Sequence, residues 1–95
     1  PETEINKILS YKNLDKMFND IYGSPSSKTD IINRIMIKNN LKSNEIIFIG
    51  DAMTDYNASK NTNLNFIGIE NKDTIFPSDV ATIKNLMEII KIKNL

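Results

Sequence analysis

Residues 45–55 read EIIFIGDAMTD, and the fold turns on how this stretch divides. Its first part, 45–50, is a continuous run of β-branched and aromatic residues. That run is too short for a buried helix and has the composition of a strand covered on both faces of a parallel sheet. It stops at Gly50, and Asp51 and Asp55 follow, four apart across the start of the next segment. Residues 54–62, TDYNASKNT, predict a short helix. Asn63 stands where a C-terminal cap needs left-handed backbone, a place Asn fills when Gly is absent. A second apolar strand, NFIGIE at 65–70, comes directly after.

Working outward, a polar turn around 71–73 and a break at Pro77 lead to Ile83, Leu86, Met87 and Ile90. Their i, i+3, i+4, i+7 spacing predicts a closing amphipathic helix. Upstream, residues 23–35, GSPSSKTDIINRI, read as turn, cap and helix. Ser27 precedes Asp30 in a Ser-x-x-acid capping arrangement, and Ile31, Ile32, Ile35 and Met36 supply a buried face for a helix from 28 to about 40. Lys28 then falls at the positive end of that helix, where a cation is disfavoured and an anion welcome. Further back, Ile5, Ile8 and Leu9 share one helical stripe, Leu14 and Phe18 continue an apolar surface, and DIYG at 20–23 is a short extended run. The order expected there is helix, short helix, strand. The opening Pro-Glu-Thr-Glu reads as the first turn of a helix whose capping residue precedes it, so the chain is expected to be a piece of a longer one.

Helices alternating with apolar strands predict an α/β domain built on a parallel sheet, occupying residues 1–95 as one unit without internal repeat or linker. Twelve basic and twelve acidic side chains cancel, which gives no electrostatic case for nucleic acid or an anionic membrane as partner. No segment reaches the about 18 apolar residues of a membrane span, and the start lacks the basic and apolar regions of a signal peptide. A soluble, cytoplasmic protein is the expectation. Without cysteine or histidine, chemistry must rest on carboxylates, hydroxyls and lysines.

In a parallel sheet ligands lie beyond the carboxyl ends of the strands, and both unusual motifs, GSPSSK and GDAMTD, are expected there. Asp51 and Asp55 can face one point near a helix start, and two such oxygen ligands suit Mg²⁺. The same pair is equally at home as a turn former and a dipole-complementing acid. Lys28 is either a solvated lysine or a cation added to a helix terminus that holds a phosphate or an aspartate. Ser24, Ser26 and Ser27 offer hydroxyls to such an anion, or only turn and cap chemistry.

GSPSSK, then one helix and one strand, then IIFIGDAMTDYNAS and NFIGIE resemble the C-terminal half of the core domain of the haloacid dehalogenase superfamily, in particular its phosphoglycolate-phosphatase-like members. The resemblance covers nearly the whole chain and implies part of a Rossmann-like parallel sheet with flanking helices. Lys28 matches the lysine of the third motif, which holds the nucleophilic aspartate and the phosphate. Gly50, Asp51 and Asp55 match the fourth motif, whose acids bind Mg²⁺, with Gly50 supporting the turn. Ser24 and Ser27 are weaker phosphate-binding candidates. The nucleophile motif, DxDx[TS], does not occur in the sequence, and the second motif would fall before Pro1. Ala52 and Met53 replace the small polar residues often seen after the first acid, and Asn63 stands where the family prefers Gly.

The resemblance further implies that the strand carrying the nucleophile lies beside the 45–50 strand, so that without it the sheet has a gap to be filled by the missing N-terminal half or an equivalent partner strand. The function implied is the C-terminal part of a Mg²⁺-dependent phosphatase of small phosphorylated metabolites, inactive as 95 residues alone, with the cap and the nucleophile outside this chain. A non-catalytic Mg²⁺- or phosphate-binding or subunit-interaction module is the alternative. A receiver-like module, with acids that are only caps, leaves Lys28 without a role.

Overall fold

The computed structural model describes residues 7–17, 27–85 and 87–88. Among these residues four parallel strands form one sheet in the order β1-β2-β3-β4: β1 (Lys7–Ser10), β2 (Ile46–Gly50), β3 (Asn65–Ile69) and β4 (Thr82–Ile83). Helix α1 (Tyr11–Met17) follows β1, α2 (Lys28–Lys38) precedes β2, and α3 (Met53–Asn61) connects β2 to β3. This is the expected α/β architecture. Among the described residues no helix is long and apolar enough to cross a membrane.

The alternation of side chains along the strands divides the sheet into two faces. Leu9, Phe48 and Phe66 are register partners on one of them. There Ile31, Ile32 and Ile35 of α2, Leu14 of α1 and Ala58 of α3 close over Leu9, Ile46 and Phe48, with Met36 and Phe66 packed at the border. Each such isoleucine, fully buried, contributes about 1.5–3 kcal/mol of apolar transfer. On the other face Ile49 and Ile83 are buried beside Ile8, Ile67 and Ile69, a cluster made, among the described residues, of strand residues alone.

Helix ends follow from local chemistry. Ser27 caps α2 by accepting the Asp30 N–H at 3.1 Å. Asn40 and Asn63 both take positive φ, 52° and 59°. After each of them a leucine N–H reaches back into the helix, Leu41 to Met36 O and Leu64 to Ser59 O, both at 2.9 Å. Both helices thus end in a Schellman motif with Asn in the left-handed position. Asn63 was expected in this role, and Asn40 ends α2 in the same way.

Three expectations are corrected. Ile8 and Leu9 do not share a helical stripe: residues 7–10 are β1, and the two side chains point to opposite faces of the sheet. Apolar residues three or four apart fit a helix, but the adjacent Ile8 and Leu9 fit equally a strand apolar on both sides, and pairing with β2 buries Leu9 to 2 % exposure. The same pairing removes the expected gap beside β2, because β1 lies there along all four of its residues. Ile83 is a strand residue, opposite Ile69, with Glu70 N donating to Ile83 O at 2.8 Å. Of the helix expected after it, Leu86 and Ile90 lie outside the described residues and Met87 is 65 % exposed. Ile5, Phe18 and the 20–23 run also lie outside them.

Candidate functional site at the carboxyl edge of the sheet

β2 delivers Gly50 to the carboxyl edge, and the chain turns through Asp51 and Ala52 into α3. The first N–H groups of a helix have no partner within it and need an acceptor. Ala52, the N-cap, has no side-chain oxygen, and Asp55 supplies one from the third helical position. Its Oδ2 accepts the N–H of Ala52 at 3.0 Å and that of Asp51 at 3.2 Å. The Asp55 side chain is fully buried, and it fits there because Gly50 lacks a side chain: a Cβ on Gly50 would stand 2.4 Å from that of Asp55.

Lys28 is the first residue of α2, and its ammonium donates to Asp55 Oδ1 at 2.5 Å. The side chains of the pair are 27 % and 0 % exposed. A lysine at the positive end of a helix is thereby explained: its ammonium and the N-terminus of α3 converge on one carboxylate, whose charge suits both. Thr54 Oγ1 lies at 3.5 Å from the same ammonium. A groove of about 380 Å³ opens beside the pair between α2 and α3, lined in part by Lys28, Thr54, Asn57 and Asn61.

Asp51 is placed differently. Its main chain is engaged, through its N–H to Asp55 and through its carbonyl, which accepts from Asn71 Nδ2 at 2.8 Å. Its half-buried carboxylate has no hydrogen-bond partner among the described residues. The two acids are near in sequence yet unequal: Asp55 turns inward and organises the turn, and Asp51 leaves its oxygens open.

Of the candidate residues, Gly50, Asp51, Asp55 and Lys28 come together here. Ser27 is occupied as the α2 cap, with its Oγ accepting the Asp30 N–H. Ser24 and Ser26 lie outside the described residues. Asn71, which joins the turn after β3 to Asp51, reads in the sequence only as part of a polar turn. The Asn-x-Asp spacing signals the local turn, whereas the contact to Asp51, 20 residues away, has no sequence signal.

Mg²⁺ is commonly held by one or two carboxylates with water and phosphate oxygens completing its shell. The donor chemistry fits such an ion at Asp51. Both oxygens of Asp55 already accept hydrogen bonds, one of them from an ammonium. Among the described residues no three acidic, His or Cys side chains converge, so water and a ligand oxygen would have to supply the remaining donors.

The family model described as haloacid dehalogenase-like hydrolase matches residues 2–69, a span that includes Lys28, Asp51 and Asp55 and ends with β3. Neither a curated protein nor a solved structure matches the chain.

Proposed function

The chain belongs to the haloacid dehalogenase-like hydrolases, and from that premise we propose that it supplies the lysine and the metal-binding acid of a Mg²⁺-dependent, phosphoglycolate-phosphatase-like enzyme acting on small phosphorylated metabolites. The observation that carries this reading is the pairing of Lys28 with buried Asp55 beside the open carboxylate of Asp51. In this reading an aspartate outside these residues attacks phosphorus. The new bond joins its carboxylate oxygen to phosphorus, and the bond to the substrate's oxygen breaks, releasing the alcohol once protonated. Water then cleaves the aspartyl-phosphate, giving inorganic phosphate and the free carboxylate.

Each residue here has a physical part in that sequence. Asp55 fixes the ammonium of Lys28 while leaving it further N–H donors for the phosphate and the attacking carboxylate. Asp51 is the direct metal ligand, and Asp55 stands behind it by holding the Asp51 and Ala52 N–H groups. Mg²⁺, when bound, neutralises charge on the transferring group.

The test is turnover of a phosphomonoester such as p-nitrophenyl phosphate by the full-length protein with Mg²⁺. Lys28→Met should lower kcat by about 10²- to 10³-fold, the usual loss for one preorganised charge-stabilising donor, with an unchanged circular dichroism spectrum. A kcat near that of the unaltered protein would refute the role of Lys28.

A further inference from the structure

We infer that Asn71 is a positioning residue that aims the Asp51 carboxylate. Asn71 stands just beyond β3 and its side chain makes three hydrogen bonds. Oδ1 accepts the Asp73 N–H at 3.0 Å, which closes the local turn. Nδ2 donates to Ile69 O at 2.9 Å and to Asp51 O at 2.8 Å. The last bond spans the ends of two neighbouring strands.

Its effect follows from what else holds the turn. The peptide between Gly50 and Asp51 is gripped by Asp55 through the Asp51 N–H. The peptide between Asp51 and Ala52 is gripped on both edges, by Asp55 at the Ala52 N–H and by Asn71 at the Asp51 carbonyl. With both peptides flanking its Cα fixed, the direction of the Asp51 Cα–Cβ bond is fixed as well, and only the side-chain torsions stay free. Asn71 is exposed, so water would satisfy the Asp51 carbonyl in its absence. The contribution of Asn71 is therefore direction and not satisfaction of a buried group. Only an amide serves both ends of this bridge: a carboxylate cannot donate, and a serine that can close the turn is too short to span it.

This inference rests on the proposed Mg²⁺ role of Asp51. Its test is calorimetric titration of the full-length protein with Mg²⁺, without substrate, accompanied by thermal melts in EDTA. Asn71→Ser retains an acceptor for the Asp73 N–H and loses the bridge, and Asn71→Ala loses both. Both variants should bind Mg²⁺ about tenfold more weakly, as for partners that orient a metal ligand, with melting midpoints in EDTA close to that of the unaltered protein. Unaltered affinity in Asn71→Ser, whether or not Asn71→Ala weakens, would reduce Asn71 to a turn former and overturn the inference. Asp51→Asn separates the two levels. If it abolishes binding, the Mg²⁺ role stands and the Asn71 variants decide alone; if it binds as the unaltered protein does, the Mg²⁺ role falls and the inference with it.

Discussion

Gly50 and Gly68 are partners in the register of β2 and β3, and each is covered by a side chain from the segment that follows its own strand. Over Gly50 lies the carboxylate of Asp55; over Gly68 lies the ring of Phe76. In each case a Cβ on the glycine would collide, at 2.4 Å with Asp55 and at 2.6 Å with Phe76. The backbone device is the same, a position at or next to a strand's end without a side chain that admits a close neighbour. The neighbour differs because the continuations differ. After β2 comes a helix, whose first N–H groups demand an acceptor, so an acid sits on the glycine. After β3 comes a loop with no helix to cap, and an aromatic sits there instead. Phe76 packs, tilted, against Phe66 with ring centroids 5.5 Å apart, and Phe66 also meets Phe48 at 5.9 Å and Tyr56 at 5.6 Å. A glycine at a strand's end thus announces a close approach, and the element that follows decides whether the approach serves charge or packing.

The largest way to break this comparison is to remove the two occupants. Asp55→Ala deprives two turn N–H groups and the Lys28 ammonium of their acceptor at a fully buried position. Losing one member of a buried pair costs about 3–5 kcal/mol, and the partial exposure of Lys28 points to the lower end, about 3 kcal/mol. Phe76→Ala removes a half-buried ring and no charge, for about 1–2 kcal/mol, below the range of fully buried aromatics. Urea denaturation of both variants gives the order. A cost for Phe76→Ala equal to that for Asp55→Ala would mean that both sites are packing alone.

Filling the glycines tests the same comparison from the other side, with an equal effect at Gly50 and a smaller one at Gly68. In Gly50→Ala the new methyl meets the Cβ of Asp55, which is fixed to the helix backbone, so the turn itself must move. A cost of about 3 kcal/mol, the upper end for overpacking, is expected. In Gly68→Ala the methyl meets the far side of a ring that can swing toward solvent, and about 1 kcal/mol is expected. The mechanism has its own check. Combined with Phe76→Ala, Gly68→Ala should cost less than the sum of the two single changes, because the colliding ring is gone. Strict additivity would place the strain of Gly68→Ala elsewhere.

What could be read in the sequence follows the same division between local and distant causes. The 46–50 strand, the α2 and α3 helices, the Ser27 cap and the Asn63 terminus are set by neighbours within a few residues, and all were legible. β1 and β4 are set by pairing with partners distant in sequence. Ile8, Leu9 and Ile83 have spacings that a helix satisfies as well, and what makes them strands is β2 and β3, which no local pattern names. At the site, the residue types were legible and their division of labour was not. Two acids four apart look equivalent in sequence. Their difference comes from Ala52, which cannot cap α3, from Gly50, which leaves room for one carboxylate, and from Lys28, which reaches across from α2.

That division gives the smallest and sharpest expected effect. Asp51→Asn keeps the shape of the side chain and every main-chain bond of residue 51, since Asp55 and Asn71 hold its N–H and carbonyl and no described group holds its carboxylate. What it loses is a negative charge beside the N-terminus of α3, so in EDTA its stability should fall by about 0.5 kcal/mol, within the range for such charges and about one sixth of the cost at Asp55. A bound ion stabilises the folded state by RT ln(1 + [Mg²⁺]/Kd). On the proposed Mg²⁺ role, the unaltered protein should therefore melt higher as Mg²⁺ is raised, and Asp51→Asn should not. Equal Mg²⁺ responses would remove Asp51 from the proposed metal site. A loss in EDTA as large as that of Asp55→Ala would erase the distinction between an acid that builds the turn and an acid that the turn presents.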